Sequence, residues 1–109
     1  MTPGPWKPDR EIPVAEQLAR QQLTEHVNAG LKIIIGSMNP LKVGDILPNV
    51  GSGYIQDGRF IHTQIYQPFR IKAVTTFEDW IANTPPWIPG RKPTAAEARG
   101  YRFFEIFTD

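Results

Sequence analysis

Eleven prolines and nine glycines interrupt this 109-residue chain so often that a helical bundle is ruled out. What remains is a single small domain of short segments joined by turns, long enough to bury a core of its own. Prolines crowd the front, where Pro3, Pro5, Pro8 and Pro13 surround one indole, Trp6. Each fixes its own φ and pushes its predecessor toward extended backbone, so residues 1–13 are expected to form a proline-rich, polyproline-like arm and 14–109 the domain. Trp6 gives that arm apolar area to bury, and so a means of holding a protein partner or a second copy of the chain.

Behind the arm, Val14 to Ala29 carries helical periodicity, with Pro13 suited to the first turn and Gly30 to the stop. Ala15, Leu18, Ala19, Leu23, His26 and Val27 share the side expected to pack, and Glu16 and Arg20 pair on the polar side. Leu31 to Ile35 reads as a buried strand. Leu41 to Leu47 reads as a second strand, broken at Gly44-Asp45 by a turn or bulge that delivers the chain into a curved sheet. Pro48 to Gly53 reads as a flexible connection.

The plainest signal follows. Tyr54–Gln56 and Arg59–Tyr66 flank Asp57-Gly58, the pair that a two-residue type I′ turn favours. Phe69 to Thr75 alternates, with Phe69, Ile71 and Ala73 inward and the cations outward. Thr76 and Asp79 open a short helix whose Phe77, Trp80 and Ile81 form one apolar turn, and Thr94 with Glu97 predicts a second over Ala95–Arg99. Tyr101 to Phe107 has aromatics on both faces, as a central or sandwiched strand would. The fold class is therefore α+β: a small, strongly bent, barrel-like sheet of five or six short strands, an N-terminal helix and one or two short helices.

Much chemistry is excluded. With no cysteine there are no disulfides, thiolate metal sites or cysteine nucleophiles. His26 and His62 show no metal-ligand spacing, neither serine sits in a nucleophile elbow, and no phosphate-binding loop is present. The expectation is no catalytic residue, no metal and no cofactor. No apolar run is long enough to cross a bilayer and no secretory h-region is visible, so a soluble, cytoplasmic protein without membrane contact is expected.

Charge is uneven although it nearly cancels overall. Residues 59–102 hold seven cations against three anions, interleaved with Phe60, Tyr66, Phe69, Trp87 and Tyr101. Cations among rings are what single-stranded nucleic-acid grooves use, charge for phosphate and rings for base stacking. A solvated strand face explains Arg70 and Lys72 equally well. The Trp87-Ile88-Pro89-Gly90-Arg91-Lys92 tip is harder to explain as a mere connection.

From Gly30-Leu31-Lys32 through Leu41–Leu47 with its Gly44-Asp45-Ile46, the chain resembles the opening of ASCH domains, members of the PUA-like β-barrel superfamily. Phe69–Thr75 followed by Phe77-Glu78-Asp79-Trp80-Ile81, and then Tyr101–Phe107, are similar to that family's later elements. The likeness spans about residues 26–107. Ile35 and Ser37 stand where the family's G-x-K-x-x-E-x-R element has Glu and Arg, so Lys32 is the one position carried over. The resemblance implies an RNA- or nucleotide-related cleft beside a barrel.

Two functions are compatible with these residues. The preferred one is a non-enzymatic binding module that recognises RNA, single-stranded nucleic acid or a nucleotide through Lys32, Arg70, Lys72, Arg91 and Lys92, with His62, Tyr66 and Trp87 beside them. The alternative is a protein-interaction or assembly factor, of the sort phages and mobile elements encode, that holds its partner with the Pro/Trp arm and the Trp87 loop.

Overall fold

A computed structural model describes residues 11–108. The proline-rich arm, apart from Glu11–Pro13, lies outside the described residues, and so does the docking role expected of Trp6. The elements in order are α1 (Val14–Asn28), β1 (Ile34–Ser37), β2 (Ile46–Leu47), β3 (Val50–Gln56), β4 (Arg59–Ile65), β5 (Phe69–Thr75), α2 (Phe77–Ala82) and β6 (Arg102–Thr108). Four strands form one antiparallel sheet in the order β1-β6-β5-β2, and β3 and β4 form a separate hairpin. The result is an α+β fold whose sheet curls into a half-barrel.

Curvature has a visible source in β5. Its register with β6 slips between Ile71 and Ala73, a bulge that bends the strand and lets Lys72 reach Glu105 at 3.3 Å. On one face of the sheet Phe69, Ile71, Phe104 and Ile106 are buried together with Val50 and Ile65 of the hairpin and Ala19 of α1. The other face is covered near its middle, where Phe103 lies under Phe77 and Trp80 of α2. β6 is thus central, as its two-sided aromatics suggest. Gly44-Asp45 forms the expected turn: Gly44 has φ 94°, its N–H donates to the Ile71 carbonyl, and Ile71 N–H donates back to Asp45.

Asp57 and Gly58 have positive φ and close the hairpin as the sequence predicts. The first strand, however, begins at Val50, so Pro48–Gly53 is not a flexible connection. Gly51-Ser52-Gly53 is ladder, paired with His62–Gln64. Local composition hides this, because the glycine is needed by a neighbour across the strand. A Cβ on Gly53 would stand 2.5 Å from the Phe60 ring and would strike the Ile61 carbonyl.

Three further expectations are corrected. The first sheet strand starts at Ile34 rather than Leu31, and only Ile46–Leu47 of the Leu41–Leu47 segment is strand. Thr94 and Glu97 do make reciprocal cap hydrogen bonds, yet residues 95–100 remain turns, and Glu97 is also held by Arg91. Finally, α1 does not pack through its whole apolar side. Leu18 and Val27 are exposed, whereas Glu16 is buried with Ala19. The reason is a polar pin. Glu16 accepts from Arg20 at 2.7 Å and from the Tyr66 backbone N–H at 3.1 Å, and Arg20 also donates to Gln67. Tyr66 and Gln67 follow the end of β4, where the ladder stops and backbone groups need partners.

Candidate functional site

Among the described residues β1 pairs only with β6 and β3 only with β4, so the half-barrel leaves a seam between β1 and β3. Ile106 N–H donates to Ile33, which makes 33, 35 and 37 the residues bonded to β6 and turns the peptide groups of Ile34 and Gly36 toward the seam. A cavity of about 420 Å³ lies there, between Ile34–Ser37 on one side and Leu47, Val50 and Gly51 on the other.

Beside it, sharing Ile34, Gly51 and Trp80 as wall, lies a cavity of about 380 Å³. Its walls are Lys32 and Ile34, the hairpin residues Ser52, Phe60, His62 and Gln64, and the segment from Trp80 through Asn83 to Ile88. A third, of about 310 Å³, continues from Phe60, His62 and Trp80 to Arg91 and Lys92. Neighbouring cavities share wall residues, and Trp80 borders all three. The indole is held by stacking on Phe103 at 5.3 Å between centroids and by tilted contact with Phe77 at 5.8 Å. Phe60 meets His62 edge-on at 5.1 Å.

Lys32 is fixed from two directions. Its backbone N–H donates to Asn83 Oδ1 at 2.8 Å, and its ammonium lies 3.3 Å from Asp79. The Thr75 hydroxyl donates to the same Asp79 oxygen at 2.6 Å and Asn83 Nδ2 donates to the other at 3.0 Å. The Thr75 hydrogen bond chiefly, with Lys32 and Asn83 adding to it, outweighs the opposing desolvation and holds the Asp79 carboxyl below its ordinary value. His26, on the last turn of α1, touches the Lys32 carbonyl and also faces the middle cavity. At the far end Arg91 forms a two-pronged pair with Glu97 at 2.8 and 2.9 Å, and this pair, with the Thr94 backbone N–H adding to it, lowers the Glu97 pKa to about 2.

Of the residues singled out from sequence, Lys32, His62, Arg91 and Lys92 therefore meet around one cleft. The others do not join them. Arg70 donates to the Gly44 carbonyl at 3.1 Å, Lys72 faces Glu105, and Tyr66 sits beside the Glu16–Arg20 pin. Trp87 is 40% exposed and borders none of the three cavities. Sequence reasoning missed Trp80, His26 and Asn83. Trp80 looked like core because it completes an i, i+3, i+4 apolar turn, and half of that reading holds, since one neighbour is Phe103.

Among the described residues no group of three or more histidines and carboxylates is placed to hold a metal ion, and no helix is long and apolar enough to cross a membrane. Comparison with protein-family profiles, curated proteins and solved structures finds no match for this chain.

Proposed function

We propose that the chain is a non-enzymatic binding module whose seam cleft takes a nucleotide, free or within single-stranded nucleic acid. What carries this reading is that three rings, Phe60, His62 and Trp80, wall two neighbouring cavities, one bordered by Lys32 and the other by Arg91 and Lys92. Flat rings suit a base, the side-chain amide of Gln64 can read its edge, and Lys92 on the wall of the neighbouring cavity can face a backbone phosphate. The resemblance to ASCH domains supports the same reading, since it implies an RNA- or nucleotide-related cleft beside a barrel.

Two-dimensional NMR of the full chain with the four ribonucleotides and short single-stranded RNA at low salt tests the proposal. Saturable shifts at Ser52, His62 and the Trp80 indole are expected, and Trp80→Phe should weaken them. No shift with any of these ligands would remove the reading.

The protein-partner reading draws on one observation, the exposed indole of Trp87. Trp87→Ala and deletion of residues 1–12 should each abolish association if it is right. Unchanged association after both would reject it.

A further inference from the structure

We infer that Asp79 is a specificity residue of this cleft: by holding Lys32 it makes the site select the uncharged base and sugar of a nucleotide and gain little from added phosphates. This rests on the nucleotide reading above and deepens it.

The argument starts from what each cation already faces. Lys32 has Asp79 at 3.3 Å, and Arg91 has both oxygens of Glu97. Lys92 alone of the three makes no ion pair among the described residues. A phosphate arriving at Lys32 must share the ammonium with a carboxylate anchored by Thr75 and Asn83, and two anions on one cation repel each other. Swinging Asp79 aside would break the hydrogen bonds its two carboxylate oxygens accept, from Thr75 at 2.6 Å and Asn83 at 3.0 Å. The rings and amides of the middle cavity carry no such opposition.

The wild-type chain and Asp79→Asn should be titrated calorimetrically with the four ribonucleosides and their 5′-mono- and triphosphates. Asparagine keeps the backbone cap and accepts from Thr75, so the fold should stand, while the charge opposing phosphate is gone. In the wild type, nucleoside and triphosphate should bind within about threefold of each other, with a shallow salt dependence. In Asp79→Asn the triphosphate should tighten by roughly tenfold and the nucleoside should not change. If Asp79→Asn does not fold, the wild-type nucleoside-to-triphosphate ratio and its salt slope decide alone. A wild type that already prefers triphosphate tenfold, or an Asp79→Asn variant that gains equally for nucleoside, overturns the role of Asp79 and leaves the nucleotide reading standing. Absence of binding by every ligand overturns both.

Discussion

Two ion pairs of the same kind lead different lives, one at the end where the hairpin meets α1 and one at the cleft. Glu16–Arg20 is enclosed: the Glu16 side chain is 2% exposed and that of Arg20 19%, and Tyr66 and Gln67 complete their hydrogen bonds. Lys32–Asp79 is open, with side chains 49% and 25% exposed, on the wall of a cleft. In the enclosed pair neither charge has water to fall back on, so losing one partner strands the other. In the open pair water stands in at little loss, so either partner can be exchanged without unfolding the chain. Exposure, more than distance, separates an ion pair that fastens α1 from one that sets the charge of a cleft wall.

The largest effect should come from Glu16→Ala. It removes the acceptor for both Arg20 and the Tyr66 N–H and should destabilise the chain by about 4 kcal/mol in urea unfolding. A loss no greater than that of a surface substitution would erase the contrast. Gly53→Ala isolates the hairpin from its charges. Its new Cβ collides with the Phe60 ring and a backbone carbonyl, so about 2 kcal/mol should be lost with every ion pair intact. Lys32→Met should leave the urea midpoint nearly unmoved while weakening nucleotide-induced shifts at His62, and a large stability loss would show that this pair too is structural. The smallest effect belongs to acid. Glu97 has its folded pKa depressed from 4.5 to about 2, so its contribution is present above the ordinary carboxylate range and disappears as pH falls toward 2. Its carboxyl carbon should titrate in NMR near pH 2, with the turn at 95–100 loosening there. A midpoint near 4.5 would mean that the Arg91 clamp is not formed in solution.

How far the sequence reaches differs between these two regions. Asp57-Gly58 announces its hairpin because a positive-φ turn needs those residue types, and the Gly44-Asp45 turn and the Thr76 cap are equally local. Gly51-Ser52-Gly53 misleads because its reason for being strand lies across the ladder in Phe60. The helix face misleads likewise, since Glu16 is buried only because Tyr66 and Gln67 arrive there from fifty residues away. At the cleft, residue type picked out His62, Arg91 and Lys92, and the family resemblance picked out Lys32. Residue type also picked out Arg70 and Lys72, which strand alternation sends to another face. Trp80 escaped notice because one indole both packs on Phe103 and lines the hollow.

The unzipped seam has a consequence for how the molecule can vary. Its two banks belong to different hydrogen-bonded ladders, one anchored by β6 and the other by β4, so among the described residues no ladder hydrogen bond sets the width between them. Side chains act as the spacers, within the reach of the short 48–49 and 66–68 connections. Exchanging them can widen, narrow or repaint the channel without asking either ladder to change its register.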